Sequence, residues 1–201
     1  MVCGKLKPNN LHVLDLNGMP YRSFCYEKTI FDPTCGAGVF VLEALEMKLD
    51  LLDLHYTEIS KGKINKIMTT IKGNDVNEDS IKLTKIRLLL CVLHRYGAAK
   101  IKGLAKVMEP CFTSYDFVTS KPNNNKYDII VGNPPYVEDS KSLSTPTVKY
   151  GNIYANVLDN ATFHLKDGGV MGFVIPLSYV STLRMKKIRE NWVLIYLNNI
   201  F

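Results

Sequence analysis

Short apolar runs separated by longer amphipathic segments are the main pattern along this chain. Most of the runs are bounded by Gly, Pro, Asn or Asp, which is typical of buried strands between turns. They lie at residues 29–31, 70–76, 110–117, 129–131, 170–175 and 192–197. Strands that alternate with helices favour a mostly parallel, doubly wound sheet. The pattern therefore predicts an α/β fold with helices on both faces of the sheet.

The segments after the first two runs have apolar residues at helical spacing. The buried face predicted for the first helix consists of Val41, Ala44, Leu45, Leu49 and Leu52. For the second helix, Asn77 is the predicted N-cap, and Glu78 and Asp79 suit the positive end of the helix dipole. The core face predicted for this second helix consists of Leu83, Ile86, Leu90 and Leu93.

Two more helices are predicted in the carboxyl-terminal half of the chain. One has apolar residues at helical spacing from Ile153 to Leu165, and the Asp-Gly-Gly sequence at 167–169 is predicted to end it. The other spans Ser178–Glu190 and has a basic end. The residues before them, 137–150, are polar and rich in Ser and Thr, so a functional or mobile loop is predicted there.

The first run leads into a turn that contains two glycines, Gly36 and Gly38, and then into a helix. Glycine lets the backbone approach a ligand closely, and the amino end of a helix offers free N–H groups to a carboxylate or phosphate. Val41 stands where a dinucleotide fingerprint would have a third glycine, which weakens that interpretation. Asp75, at the end of the second run, is placed to hold the ribose hydroxyls of an adenosine-containing cofactor.

The fourth run ends abruptly in Gly132, Asn133, two prolines and Tyr136. Proline cannot continue a sheet ladder, so the turn is stiff and presents Asn133 and Tyr136 at a strand end, where ligands of open α/β sheets bind. The Asn133 amide oxygen and the Pro134 carbonyl could accept hydrogen bonds from an exocyclic amine, and Tyr136 could stack on the attached ring. An ordinary strand-exit turn is the alternative interpretation.

Composition adds a basic character to an otherwise ordinary globular chain. Its 201 residues are 46% hydrophobic and 22% charged, with a formal net charge of +6. A positive net charge favours binding to a polyanionic partner. Basic residues are frequent at 61–66 and 82–106, where a solvated face and a nucleic-acid surface both remain open.

Cysteine usage and the lack of targeting segments predict a cytoplasmic protein that does not span a membrane. No cysteines are spaced as Cys-x-x-Cys and no histidine stands at metal-ligand spacing from one, so no metal site is predicted. Residues 1–21 lack the apolar core of a signal peptide. The five cysteines, interpreted as reduced thiols, are Cys3, Cys25, Cys35, Cys91 and Cys111.

Two motifs, Asp-Pro-Thr-Cys-Gly-Ala-Gly at 32–38 and Asn-Pro-Pro-Tyr at 133–136, together resemble a known family. They are similar, in this order, to motifs of S-adenosylmethionine-dependent N6-adenine DNA methyltransferases of restriction–modification systems with the gamma arrangement. Supporting matches lie at 73–76, 116–117, 151–154 and 168–176. The resemblance covers residues 29–201 and implies a Rossmann-like class I methyltransferase domain, with residues 1–28 unplaced.

The resemblance also implies which residues form the site. The implied catalytic residues are Asn133, Pro134, Pro135 and Tyr136. The implied cofactor-binding residues are Asp32, Pro33, Thr34, Cys35, Gly36, Gly38, Asp75, Val76, Asp116 and Phe117. Among these, Asp75 would hold the ribose, Asp116 the adenine amine and Phe117 a ring edge. A helix-leading cap for Asp75 and a turn aspartate for Asp116 are the alternatives.

The activity implied is transfer of a methyl group from S-adenosylmethionine to the N6 amine of an adenine flipped out of double-stranded DNA. An RNA guanine-N2 methyltransferase, a protein-glutamine methyltransferase and a non-catalytic nucleic-acid-binding subunit are the alternatives. The turn at 32–38 argues against the glutamine enzymes. A cysteine nucleophile is not expected, since Pro110-Cys111 precedes a strand without the context of such a site.

The family also has parts that are not found here. Its contact to the methionine end of the cofactor, which precedes the first strand, has no recognisable counterpart in residues 1–28. The last strand, a second aromatic residue for the flipped base and the recognition domain would lie beyond Phe201, and recognition would belong to a further domain or subunit. The run at 192–197 would then present an unpaired apolar strand edge, which predicts self-association.

Overall fold

The structure, a computed structural model, describes residues 27–120 and 124–190. Its helices are α1 (Val39–His55), α2 (Lys61–Thr69), α3 (Glu78–Tyr96), α4 (Ala98–Ile101), α5 (Leu104–Met108), α6 (Ile153–Thr162) and α7 (Ser178–Ser181). Its strands are β1 (Ile30–Asp32), β2 (Ile71–Asn74), β3 (Phe112–Thr113), β4 (Tyr127–Gly132) and β5 (Leu165–Phe173). Short 3-10 turns occur at Glu109–Cys111, Asp139–Lys141 and Leu183–Met185.

The strands form one parallel sheet in the order β3-β2-β1-β4-β5. β1 is central: Ile30 aligns with Ile71 of β2 on one side and with Ile129 of β4 on the other. The chain therefore runs outward from β1 to β3 and returns to the other side of β1 for β4 and β5. This reversal is the double winding that the alternation of strands and helices predicts, and that prediction is confirmed.

Helices cover both faces of the sheet. Aligned residues of parallel strands share a face, and neighbours along a strand alternate between faces. Phe31 and Ile130 are aligned and pack in one core cluster with Ile153 and Val157 of α6. Ile71 points to the opposite face, because it aligns with the residue before Phe31. It packs there in a larger cluster with residues of α1, α2, α3 and α5.

The local predictions for α1 and for the start of α3 are confirmed. The residues predicted as the buried face of α1 are all buried. The Asn77 side chain caps α3 by accepting hydrogen bonds from the amides of Asp79 and Ser80. Both predictions depend on neighbours within one or two turns of helix, which the sequence displays directly.

The core face predicted for α3 is wrong. Leu83, Ile86 and Leu90 are 47%, 52% and 54% exposed, and Leu93 is half-buried. The buried positions of the helix are Ile81, Thr84, Leu88 and Val92. Both sets recur at helical spacing, so spacing alone could not choose between them. The choice is made by contact with the turn after β1, toward which Thr84 points.

Two element boundaries in the carboxyl-terminal half also differ from the prediction. α6 ends at Thr162, and the Asp-Gly-Gly sequence at 167–169 lies within β5. The pairing of β4 with β5 shifts at this point, from Tyr127–Leu165 to Ile129–Val170, so these residues form an irregularity in the strand. The helix predicted over Ser178–Glu190 is interrupted at Thr182, which is extended, and residues 186–190 are helical again. The run at 192–197 and residues 1–26 lie outside the described residues.

The cysteines in the described part of the chain are free: Cys35, Cys91 and Cys111. Burial raises the pKa of Cys35 to about 12 and that of Cys91 to about 11, so neither thiol is a nucleophile at neutral pH. Across 27–120 and 124–190, no three His, Cys, Asp or Glu side chains lie close enough to hold a metal ion. No helix in these same ranges has the length and apolar character needed to cross a membrane.

Asp128 joins the start of β4 to its neighbouring segments. Its Oδ2 accepts hydrogen bonds from the Thr29 amide at 2.8 Å, the Thr29 hydroxyl at 2.7 Å and Lys166 at 2.8 Å, and Lys28 lies 3.2 Å from Oδ1. Burial alone would raise the pKa of Asp128, but the hydrogen bonds from Lys166 and Thr29 outweigh it and hold the pKa well below its usual range. The ionised carboxylate therefore stabilises the junction of β1, β4 and β5.

We expect Asp128→Asn to lower the free energy of unfolding at pH 7 by about 1–3 kcal/mol, because a neutral amide cannot replace hydrogen bonds to a charged group. Since the folded-state pKa is lowered, the stabilisation by the wild-type carboxylate is complete above its unfolded pKa and is lost as the pH falls toward its folded pKa. Urea unfolding at pH 7 and pH 3 measures both effects, with the exposed Asp167→Asn as control. An equal loss of unfolding free energy in Asp128→Asn at both pH values would contradict the role of the charge.

Candidate active site

Loops that leave the carboxyl ends of β1, β2 and β4 meet at one edge of the sheet. β1 pairs with both other strands, so the turn after Asp32 lies between the loop that begins at Asp75 and the loop that begins at Asn133. The Gly36 amide donates a hydrogen bond to Asp75 Oδ2 at 2.8 Å. On the other side, a Cβ atom placed on Gly132 would lie 3.1 Å from Asp32 Oδ1. The structure therefore brings the two sequence motifs side by side.

Helix α3 fixes the shape of the glycine turn. Thr84 is buried and its hydroxyl donates to the Gly36 carbonyl at 2.9 Å, while Arg87 donates to the Ala37 carbonyl. Gly36 and Gly38 have φ of 51° and 81°, a region that favours glycine. A Cβ atom on Gly38 would also lie 2.7 Å from the Thr84 side chain. Glycine is thus required at position 38 by packing as well as by backbone conformation.

Asp75, the residue after β2, holds the glycine turn in place by hydrogen bonding. One carboxylate oxygen accepts the Gly36 amide and the other accepts the Asn77 amide at 2.9 Å. Each oxygen still has a lone pair for a ligand, because a carboxylate can accept about four hydrogen bonds. The side-chain cap of α3 is supplied by Asn77. Asp75 therefore combines a structural role in the turn with the capacity to bind hydroxyl groups.

Asp32 is a buried carboxyl group at the base of the site. Burial raises its pKa to about 7; a hydrogen bond from the Thr34 amide at 3.0 Å opposes the rise, and the nearby Asp75 carboxylate adds to it. A carboxyl group with such a pKa is partly protonated near neutral pH, and a cation that binds beside it would favour the ionised form. Asp32 is therefore suited to receive an ammonium group.

The amino end of α1 offers a second kind of binding group. Gly38 is its N-cap, no side chain caps it, and its first turn contains no acidic residue. Free N–H groups at such an end favour an anion. Thr34 Oγ1 is buried without a hydrogen-bond partner among the described residues, although buried hydroxyls normally have one. Together with Asp32, these groups fit the carboxylate and ammonium of an amino-acid moiety.

Asn74 is a buried hydrogen-bonding residue between the loops. Its side-chain nitrogen donates to the carbonyls of Pro33 at 3.1 Å and Tyr115 at 3.0 Å. Its side-chain oxygen accepts from the Thr113 hydroxyl at 3.1 Å and the Tyr115 amide at 3.2 Å. Its backbone carbonyl accepts from the Cys35 amide at 2.8 Å. Asn74 therefore contacts the loops after β1 and after β3 at once.

The loop after β3 carries Asp116 and Phe117. Asp116 accepts hydrogen bonds from the Val118 amide at 2.9 Å and the Thr119 hydroxyl at 3.0 Å, so it shapes its own turn while remaining partly exposed. Phe117 is 3% exposed and its ring packs 5.8 Å from that of Phe31 in the core. The predicted contacts of these two residues with an adenine ring remain predictions.

The Asn-Pro-Pro-Tyr motif follows β4 directly and presents Asn133 and Tyr136 at the surface, while Pro134 is buried. The Tyr136 hydroxyl lies 2.5 Å from Asn133 Oδ1 and 2.9 Å from the Val174 carbonyl. Its ring stands edge-on to that of Tyr154, with 6.1 Å between centroids. The amide oxygen that could accept from a substrate amine is thus bonded to the tyrosine hydroxyl.

The polar loop after Tyr136 is tied to the start of α6. The Ile153 amide donates to the Val137 carbonyl at 2.8 Å, and the Gly151 amide donates to Asp139 at 2.6 Å. The Asn156 side chain also donates to Asp139, at 3.4 Å. These contacts place the loop beside the Asn-Pro-Pro-Tyr motif.

Most residues of this edge are predictable from the sequence, but the residues that support its loops from inside are not. The predicted site residues at 32–38, 75 and 133–136 lie together, Val76 is 73% exposed and Phe117 faces the core. Asn74, Thr84 and Arg87 were not predicted, although all three bond to the loops of the site. A signal for Thr84 does exist: it is the polar member of a helical stripe that also contains Ile81 and Leu88.

Residues 69–194, more than half of the chain, match the family model described as Eco57I restriction-modification methylase. The chain is 23% identical over 207 residues to the type II restriction enzyme and methyltransferase RM.Eco57I of Escherichia coli. It is 24% identical over 173 residues to the type II methyltransferase M.PaeR7I of Pseudomonas aeruginosa. These matches cover 79% and 81% of this chain but 21% and 29% of the relatives. The chain thus spans less than a third of either relative.

A solved structure of similar fold is the nuclease-deletion mutant of the Type ISP restriction-modification enzyme LlaGI in complex with a DNA substrate mimic. The two chains superpose with a TM-score of 0.62 at 18% identity, over 90% of this chain and 18% of the other. The likeness and the strand order confirm the predicted Rossmann-like α/β fold.

We expect Asp32→Asn to raise the melting temperature more at pH 8 than at pH 5. The folded-state pKa of Asp32, about 7, lies above the ordinary value, so the folded protein holds a proton that the unfolded chain has released between the two pKa values. Wild-type stability therefore falls as the pH rises through this window, and an amide does not titrate. Calorimetric scans at both pH values measure the effect, with Asp167→Asn as control; an equal shift at both would contradict the raised pKa.

Proposed function

Because this chain belongs to the Eco57I restriction-modification methylase family, we propose that it carries the catalytic domain of an S-adenosylmethionine-dependent DNA methyltransferase specific for the N6 amine of adenine. The observation that carries the proposal is the placement of Asn133 directly after β4, the strand that pairs with β1, from which the glycine turn leaves. A turn suited to an amino-acid moiety and an acceptor for an amine thus lie at one sheet edge. One named relative is a type II restriction enzyme and methyltransferase and the other a type II methyltransferase, which supports methyl transfer.

S-adenosylmethionine supplies an activated methyl group when it is bound. We assign its ammonium to Asp32 and its carboxylate to the amino end of α1, where Thr34 offers a further hydroxyl. Asp75 would bind the ribose hydroxyls through the lone pairs that its backbone contacts leave free, and Asp116 would accept from the adenine amine. The support for these roles is the match between donor and acceptor types at each position.

The reacting amine of adenine is a poor nucleophile, because its lone pair is delocalised into the ring. Asn133 Oδ1 and the Pro134 carbonyl would accept hydrogen bonds from the two N–H groups and favour tetrahedral geometry at the nitrogen. They would also stabilise the positive charge that develops there as the methyl group arrives. Pro135 keeps the turn rigid, so the two acceptors do not need to be ordered when the base enters.

The target amine is paired inside a duplex, so the base must leave the stack before it can react. Stacking on Tyr136 would offset about 1–3 kcal/mol of the cost, by analogy with single-strand binding. The Tyr136 hydroxyl occupies one of the two lone pairs of Asn133 Oδ1. The other lone pair would accept from the amine of the base.

Double-stranded DNA is the proposed partner, as in the solved LlaGI complex with a DNA substrate mimic. Exposed cations suited to phosphate contacts follow the Asn-Pro-Pro-Tyr motif along the chain. They are Lys141, Lys149, Arg184, Lys186 and Lys187. Arg184 lies against Gly151, where a Cβ atom would come within 2.5 Å of its side chain. We assign recognition of the DNA sequence to a further domain or subunit.

Transfer of a labelled methyl group tests the proposed function. The full-length polypeptide is offered double-stranded DNA of mixed sequence, RNA and protein, and we expect label at N6 of adenine in the DNA. Asn133→Ala should lower the single-turnover rate by about a hundredfold or more and leave cofactor affinity nearly unchanged, because the acceptor acts mainly as charge develops. The exposed Asn124→Ala is the matched control. Label only in RNA or protein would contradict the proposed substrate, and a near-normal rate for Asn133→Ala would contradict its role.

Substitutions of Tyr136 separate its ring from its hydroxyl. We expect Tyr136→Phe to keep the turnover rate and the DNA affinity, because stacking uses the ring and Asn133 can accept from the base without the hydroxyl. Tyr136→Ala should weaken DNA binding about tenfold or more through lost stacking. Steady-state kinetics over a range of DNA concentrations distinguishes the two. A Phe variant as impaired as the Ala variant would show that the hydroxyl itself is needed.

A further inference from the structure

Asn74 lies where the loops of the proposed cofactor site converge. It ends β2 and is 1% exposed. Its side chain bonds to Pro33, within the glycine-containing turn, and to Tyr115, the residue before Asp116. We propose that Asn74 is a positioning residue for the cofactor: its amide holds the loop after β1 and the loop after β3 at the separation that lets both contact one ligand. This inference rests on the proposed function.

Every hydrogen-bonding atom of the Asn74 side chain has a partner. An amide has two N–H donors and an oxygen with two lone pairs. The donors face two carbonyls, of Pro33 and Tyr115, and the oxygen faces the Thr113 hydroxyl and the Tyr115 amide. If the amide were turned over, its oxygen would face both carbonyls and its nitrogen would face the Tyr115 N–H. The amide therefore has one favourable orientation, and in this orientation its hydrogen bonds hold both loops in place.

The sheet by itself does not set this separation. The ladder between β1 and β2 reaches Asp32 and Gly73, and the ladder between β2 and β3 reaches Asn74 and Thr113. Apart from Asp32, the proposed cofactor contacts lie on loops that begin beyond these pairs. They also leave strands that are not neighbours, since β2 separates β1 from β3. Asn74, on the intervening strand, is placed to connect them.

Few other residue types could make these contacts. Leucine is similar in size but would leave the two carbonyls, the Tyr115 amide and the Thr113 hydroxyl without their partner, at a cost for each buried group. An ionised aspartate has acceptors only and would face two carbonyls. Glutamine would move the amide one methylene group further along and away from all four partners.

Asn74→Leu in the full chain tests the inference. We expect the dissociation constant of S-adenosylhomocysteine, measured by calorimetry, to rise about tenfold or more, because several buried hydrogen bonds are lost. The KM for S-adenosylmethionine should rise likewise, while the KM for DNA changes little. Ile64→Ala, in the core cluster on α2, is a control for loss of stability alone and should bind the ligand as the wild type does. Asn74→Ser, which keeps a hydroxyl donor, should show the same pattern with a smaller loss.

A double-mutant cycle with Asp116→Ala separates positioning from general stability. If Asn74 acts by placing the Asp116 loop, removing Asp116 should cost less affinity in the Asn74→Leu background than in the wild type. Fully additive losses, or equal binding by wild type and Asn74→Leu, would overturn the inference alone. A wild-type protein that binds neither S-adenosylmethionine nor S-adenosylhomocysteine would contradict the proposed function, and the inference with it.

Discussion

Backbone groups beyond the carboxyl ends of the strands have no ladder partner, and side chains satisfy several of them. Buried peptide groups without hydrogen bonds are costly, so a turn buried at this edge needs donors and acceptors from neighbouring segments. Here Asp75 accepts the Gly36 amide, Thr84 donates to the Gly36 carbonyl, and Asn74 donates to the Pro33 carbonyl. The turn is therefore held from β2 and from α3 before any ligand arrives. Groups that this network leaves unused, such as Thr34 Oγ1, are the ones available for binding.

Two aspartates show how the ends of the sheet differ electrostatically. Asp128, near the start of β4, is surrounded by Thr29 and two lysines, which keep its pKa low. Asp32, at the opposite end of the neighbouring strand, is buried near a second carboxylate, and its pKa is raised to about 7. The first aspartate stabilises the fold by being charged. The second lowers stability when it is charged, a cost that is common at groups that bind a ligand, as proposed for Asp32.

Sequence patterns predicted the features that depend on near neighbours. The glycine turn after β1, the Asn77 cap and the end of β4 at the Asn-Pro-Pro-Tyr turn each follow from a few consecutive residues. The buried face of α3 could not be predicted in this way, because two sets of residues on this helix both recur at helical spacing. The contact of Thr84 with the distant glycine turn determines which set is buried. Asn74 was missed for the same reason: its partners lie about 40 residues away on either side, beyond the range of local patterns.

The approach of Gly132 to Asp32 has a consequence for how such sequences can vary. A side chain at position 132 would meet the Asp32 carboxylate on one side and the Phe173 ring on the other, at 3.1 and 3.2 Å from its first carbon atom. The residue types at positions 132 and 32 are therefore not independent, although about a hundred positions separate them in the chain. In related chains, a residue larger than glycine at position 132 should be accompanied by a smaller residue at position 32 or at position 173. Correlated substitutions at these positions in an alignment would indicate that the two strands are in contact.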